Sequence, residues 1–277
     1  MIYVSKPVNA RITIVCSVSR ALSRVGSKLP KGWGDLGRQI GILIGVDLIY
    51  ELGRGIADSD RADAIAHGAQ VIDFEQTTHT FFEPSLQQFF LPAHWTIDFA
   101  NQLYLNAQFS IALGFLVWLY LFRNDAYYFV RNMFVVSMCL ALIGYIGYPT
   151  APPRMFPQHG LVDTITDFSG VNHDSALAKI FINPYAAVPS MHCAFALMIG
   201  GTGVAVCRHW WSKLWWGTWP VLIAWVVIVT ANHYWVDVAL GWLVALVAFA
   251  VAQGALARIR PESWSVRAVS AAREAEA

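Results

Sequence analysis

Long apolar runs separated by charged stretches dominate the chain, and a helix that crosses a bilayer needs about 20 mostly apolar residues. Six segments read that way: Gly37 to Ile56, Phe99 to Phe122, Tyr128 to Gly147, Tyr185 to Cys207, Leu214 to Thr230 and Tyr234 to Leu256. Asp47 and Glu51 interrupt the first, and the fifth is short. Two connecting segments are long. Residues 57–98 mix Phe74, Phe81, Phe82, Phe89, Phe90 and Trp95 with acids and Pro84, a pattern that predicts interfacial or re-entrant helices. Residues 148–184 open with Tyr-Pro-Thr-Ala-Pro-Pro-Arg. Helix cannot continue there, because Pro149, Pro152 and Pro153 lack an N–H and bias their predecessors to extended geometry. The expected fold is therefore an all-α membrane protein with a six-helix transmembrane bundle over 37–256. A basic segment, 1–36, precedes it and a tail, 257–277, follows.

Composition agrees with that pattern. Of the 277 residues 56% are hydrophobic and 13% charged, against about 25% charged in an ordinary soluble domain. The mean hydropathy of +0.47, with 12 Trp, 10 Tyr and 16 Phe, suits a chain whose main solvent is lipid. Cys139, Cys193 and Cys207 lie in apolar runs and read as small hydrophobes. The chain has no Cys-x-x-Cys, no His-Glu-x-x-His and no Gly-rich phosphate loop. That argues against zinc proteases, thioredoxin-like enzymes and nucleotide-driven pumps.

The net charge of +1 argues against nucleic-acid binding, but it hides an asymmetry. With the six spans above, 15 of the 19 basic residues fall on the side that holds both termini. The opposite side carries only Arg54, Arg61, Arg154 and Lys179, set among ten carboxylates. The positive-inside rule then makes both termini cytoplasmic. Near the N-terminus Ile14, Val15, Val18, Leu22, Val25 and Leu29 recur at helical spacing while Arg20, Arg24 and Lys28 line another face. This suits either a basic helix on the inner membrane surface or a disordered basic leader, and the interrupting arginines argue against a signal peptide.

Seven of the eight histidines, all but His209, fall on the outer side, which directs attention there. His233 and Asp237 are four apart, so on a helix they would share a face and the carboxylate would accept a proton from one imidazole nitrogen, leaving the other as a nucleophile. Pro189 and Ser190 stand at a predicted helix start, whose free N–H groups suit phosphate oxygens. His192 follows within the first turn, placed to protonate a leaving alkoxide or deprotonate a hydroxyl. Arg154, beside Pro152 and Pro153, is the best remaining anion clamp. Asp47, Glu51 and Arg54 share a face of the first span and read as packing within the bundle. His79 and Glu83, one turn apart, read as a surface pair or as holders of a head group or ion, and Glu75 has no assigned role.

The ordered segments Tyr148-Pro-Thr-Ala-Pro-Pro-Arg154, Asn183-Pro-Tyr-Ala-Ala-Val-Pro-Ser-Met-His192 and His233-Tyr-Trp-Val-Asp237 resemble the type 2 phosphatidic acid phosphatase superfamily. They are most similar to its branch with fungal inositol phosphorylceramide synthase and bacterial relatives. The resemblance covers roughly residues 37 to 256. It implies a six-span enzyme acting on lipid phosphates through a phosphohistidine, with His233 as nucleophile, Asp237 as its orienter, His192 as acid and base, and Ser190 and Arg154 binding phosphate.

Two cationic ligands of the superfamily's phosphatases are missing. Gly147 stands at the usual Lys, Met155 at the Pro after the Arg, and Val226 and Val227 at the Ser-Arg ahead of the last His. This favours the transferase-like branch, which similarly lacks them. Tyr148, Asn183, Tyr185 and His173 are the remaining candidates for phosphate contact.

The reading is an integral membrane lipid phosphotransferase, in a bacterial plasma membrane, with its site on the extracytoplasmic side. Its partners are membrane lipids, a lipid phosphate, and a hydroxyl acceptor or water. No metal or cofactor is called for. The alternatives are a phosphatase of lipid phosphates or polyprenyl diphosphates using water, and a non-catalytic lipid-phosphate carrier or assembly partner.

Overall fold

The computed structural model describes residues 26, 29–56, 61–106, 110–169 and 185–259. The basic N-terminal segment up to residue 25, the tail from residue 260, Asn183 and His173 lie outside the described residues, as does the side chain of Arg54. The chain divides into two compact units, residues 1–47 and 48–277. Helix α1, Gly32–Ile56, opens in the first, where Gly32 takes φ 74° and Asp35 in the first turn accepts a hydrogen bond from Gln39 at 2.9 Å.

In the second unit, helices α2 (Arg61–Thr77) and α3 (Glu83–Phe90) occupy the first long connection. Next come α4 (His94–Asn106), α5 (Ala112–Phe122) and α6 (Asn124–Gly147). The proline-rich segment holds two 3-10 turns and α7 (Thr164–Ser169). The chain closes with α8 (Met191–Val206), α9 (Trp210–Val229) and α10 (Trp235–Val251), then a π-helical stretch Ala252–Leu256 and the single turn Ala257–Ile259. No strand occurs among the described residues; one isolated parallel bridge joins Thr150 and Ala186.

Among the described residues three helices are long and apolar enough to cross a membrane, Asn124–Gly147, Trp210–Val229 and Trp235–Gly254, while Ala112–Phe122 and Met191–Val206 are apolar but shorter. Ile143 and Ile146 of α6, Val221 of α9 and Leu243 and Leu246 of α10 are exposed, as lipid-facing side chains would be, and Trp210, Trp211 and Trp215 crowd the start of α9 like an interfacial belt.

Several boundaries differ from the hydropathy pattern. The expected span from Tyr185 becomes helical only at Met191, because Pro189 removes a donor and Ser190 stays extended (φ −71°, ψ 107°) as the N-cap. The segment Phe99 to Phe122 is divided between α4 and α5, with 107–109 outside the described residues. Helices α6 and α9 begin four residues earlier than the apolar runs that announced them.

Helix α8 lies against α6, α9 and α10. Its approach to α9 depends on Gly200 and Gly203: a Cβ at Gly203 would run into the Trp216 ring, and one at Gly200 into the Trp216 carbonyl and the Pro220 ring. Small residues bring helices close in this way wherever association cannot draw on a hydrophobic driving force. Helices α6 and α9 end, and α8 and α10 begin, at one end of this bundle. Ser190, His192, His233 and Asp237 collect there.

Candidate active site

The reversal from α9 into α10 holds His233. Thr230 caps α9, with its hydroxyl donating to the Val226 carbonyl at 2.8 Å. Ala231 takes the left-handed conformation (φ 52°), and the N–H groups of Asn232 and His233 both donate to the Val227 carbonyl, at 3.0 and 3.1 Å. His233 therefore precedes α10 instead of sharing a helical face with Asp237. Their approach has another cause: Tyr234 is the N-cap of α10, Asp237 its third residue, and the Asp237 carboxylate reaches back to the Tyr234 N–H at 3.0 Å.

That carboxylate also meets the imidazole. Nδ1 of His233 lies 2.9 Å from the Ala187 carbonyl and 3.2 Å from Asp237 Oδ2. A carbonyl oxygen only accepts, so Nδ1 carries the hydrogen and Nε2 keeps its lone pair. Burial pushes the His233 imidazole down to about 3, opposed by the Ala187 carbonyl and reinforced by the Arg154 guanidinium. The ring is neutral at physiological pH, the form a nucleophile needs, and the contact with Asp237 is a hydrogen bond to a neutral ring.

His192 occupies the first turn of α8. Its ring stacks on Tyr104 of α4 at 4.4 Å between centroids and lies 6.1 Å from the His233 ring at 58°. Ser190 is fully buried, and its hydroxyl has no hydrogen-bond partner among the described residues. Its N–H donates to the Asp237 carbonyl at 3.1 Å, so the free amides of this helix start begin at Met191. A Cβ at Gly241 would collide with the Ser190 carbonyl. Only glycine lets α10 approach the α8 start this closely.

Arg154 is tied to the same reversal. Its backbone N–H donates to the Ala231 carbonyl at 2.9 Å and its guanidinium donates to Asn232 Oδ1. Asp163 stands 3.8 Å from Nε. The Asn232 amide in turn donates to Thr230, which leaves its carbonyl oxygen for the arginine. A cation is thus anchored one residue before His233 in sequence.

The other candidates stand further out. Tyr148 donates to Gln70 Oε1 at 2.9 Å and stacks on His67 at 4.0 Å. Tyr148 and Tyr185 both pack against an apolar cluster that includes Tyr234, Phe156 and Val71. Beside it an open cavity of about 250 Å³ is lined by Gln70, Val71, Phe74, Tyr148, Val188, Val236 and Leu240. His79 and Glu83 are not a surface pair: His79 is exposed in the α2–α3 turn, whereas Glu83 is fully buried. Nor does any group of three His, Cys, Asp or Glu residues among those described stand ready to hold a metal ion.

Five contributors escaped the sequence pattern. Asn232 adjoins the histidine, so its place next to a motif was a usable signal. Tyr104, the Ala187 carbonyl and the buried carboxyls Glu75 and Glu83 gave none, because their roles arise only from tertiary contact.

Neither the curated proteins nor the solved structures contain a match to the chain. The family model of the PAP2 superfamily, whose members are phosphatases and phosphotransferases, matches residues 69–251, a stretch that holds every candidate described above. The chain belongs to the PAP2 superfamily.

Proposed function

We propose that the protein is an integral membrane lipid phosphotransferase that moves a phosphoryl-containing head group onto a hydroxyl acceptor, similar in activity to inositol phosphorylceramide synthase. It crosses the bilayer six times with both termini cytoplasmic, as the distribution of basic residues suggests, and works on the extracytoplasmic side. One observation carries the reading: His233 is held by two acceptors at Nδ1, which leaves Nε2 as a free base, and the His192 ring lies 6.1 Å away between centroids.

In the first step Nε2 of His233 attacks phosphorus, the bond from phosphorus to the lipid oxygen breaks, and protonated His192 gives its proton to the departing alkoxide. In the second, neutral His192 takes the proton of the acceptor hydroxyl, that oxygen attacks phosphorus, and the phosphorus–nitrogen bond breaks to restore His233. Arg154 and the amides that begin at Met191 balance charge on the phosphoryl oxygens. The buried Val226 and Val227, which stand where the phosphatases of the superfamily carry a Ser-Arg pair, give no such help and favour transfer over hydrolysis.

The test is a panel of lipid phosphates and phosphodiesters offered to purified protein in detergent micelles, with and without ceramide, diacylglycerol or polyol acceptors, scoring new lipid and inorganic phosphate. Transfer yields new lipid that depends on the acceptor. Phosphate released without any acceptor favours hydrolysis, and binding without turnover favours a carrier.

A further inference from the structure

Three carboxylates meet the first turn of α10, and only Asp237 has a place in the chemistry above. Trp235 N donates to Glu83 Oε1 at 2.9 Å, and Val236 N to Glu75 Oε1 at 3.4 Å. The amides of residues 234, 235 and 236 are thus taken in succession by Asp237 from α10 itself, Glu83 from α3 and Glu75 from α2. The Trp235 indole adds a bond to Thr80 in the α2–α3 turn at 3.1 Å. Both glutamates are wholly inaccessible, and no cation bridges to either among the described residues. Each keeps a second oxygen, Oε2, that is buried without a donor.

Two ionised carboxylates facing each other out of water would repel, while one proton between them supplies an O–H donor for the orphaned acceptor opposite. We propose that Glu75 and Glu83 share one proton and, as positioning residues, clamp the first turn of α10 so that Asp237 and the adjoining His233 keep the arrangement that presents Nε2. The proposal rests on the reading of His233 as nucleophile only for its consequence in turnover; the clamp itself can be observed without substrate.

Electrostatics supports the same picture. Burial, then Glu83 and Asp237, push Glu75 up to about 9, against the pull of the Val236 amide. Burial also raises Glu83, with the Trp235 amide opposing. The groups that face the pair are Asp237 and Tyr234 from the α10 start, with the Arg154 guanidinium beyond Tyr234. Both shifts favour the protonated form, as one proton held within the pair requires, and the charge that remains lies next to the electropositive end of a helix.

The experiment needs no turnover. Histidine labelled with nitrogen-15 reports the His233 tautomer by NMR of the full chain in detergent micelles, with His233→Gln identifying the resonance. The expected result is a single Nδ1–H tautomer in the wild type, a mixture of tautomers in Glu75→Ala, and recovery of the single form in Glu75→Gln, whose amide donates as the carboxyl does. A second readout is the melting temperature between pH 6 and 10. From about pH 4.5 to 9 the folded state holds a proton at Glu75 that the unfolded chain releases, so wild-type stability falls as pH rises and levels off above 9. Glu75→Gln loses the Glu75 part of that slope and is shallower. An unchanged tautomer in Glu75→Ala, a Glu75→Gln that resembles Glu75→Ala, or an equal slope in wild type and Glu75→Gln overturns the proposal. A wild type that shows the clamp but turns over no lipid phosphate counts against the proposed function and leaves the clamp standing.

Discussion

Asp237 accepts the Tyr234 N–H with the same oxygen, Oδ2, that lies 3.2 Å from His233 Nδ1. One atom therefore starts helix α10 and orients the imidazole that precedes it. The nucleophile's geometry and the helix's stability are linked at that atom, and substitutions there act on both.

Asp237→Asn keeps the side-chain volume but can turn an NH₂ toward Nδ1, which would reverse the tautomer. A fall in kcat of about 10²–10⁴-fold is expected, with little change in KM. Asp237→Ala adds the loss of a helix cap, about 1 kcal/mol, visible as a lower midpoint in thermal unfolding.

His192→Gln removes the group that protonates the leaving oxygen. Steady-state rates on a lipid alkoxide leaving group should drop about 10²–10⁴-fold, whereas an aryl phosphate, whose phenolate leaves without a proton, should lose much less. Tyr104→Ala, which removes the stacking surface under the ring, should give a smaller loss of the same kind; equal losses on both substrates would remove His192 from the acid role.

Arg154→Ala withdraws a cation anchored through Asn232. Hydrogen bonds to charged groups contribute about 1.5–3 kcal/mol, so kcat/KM should fall roughly 10- to 150-fold, carried mainly by KM. Asn232→Ala should produce part of that effect, and the double variant should fall short of the sum, since one contact is being removed twice.

The pH dependence of stability isolates His233. Its pKa is about 3 in the folded protein and about 6.5 in the unfolded chain, so the unfolded state alone takes up a proton between those values. The contribution is fully present above about pH 6.5 and is lost as pH falls toward 3. Melting curves of wild type and His233→Gln in the same detergent should converge between pH 7 and 4, since the Glu75 contribution is common to both and cancels in the difference.

Much of this was legible in the sequence, for identifiable reasons. Prolines at 149, 152 and 153 stop a helix wherever they stand, and α6 does end at Gly147. Spacing brought His233 together with Asp237, although the agent is a helix cap and not a shared face. Hydropathy misplaced the start of α8, because Tyr185 to Val188 are nearly as apolar as the helix that follows while Pro189 and Ser190 hold that stretch extended. In the sequence Glu83 read as half of a surface pair with His79, and Glu75 had no assigned role. Their burial depends on α10 amides more than 150 residues away, and no local pattern encodes that. Asn183, quoted in the second motif, lies outside the described residues.

The central claim is a covalent bond between phosphorus and His233. Wild-type protein mixed with a lipid donor labelled at phosphorus, quenched in alkali and digested, should yield a labelled peptide containing His233, stable to base and labile to acid. The label should vanish in His233→Gln and persist longer in His192→Gln, where resolution is slowed. A wild type that turns over while carrying no label on that peptide, or a His233→Gln protein that retains activity, would contradict the account.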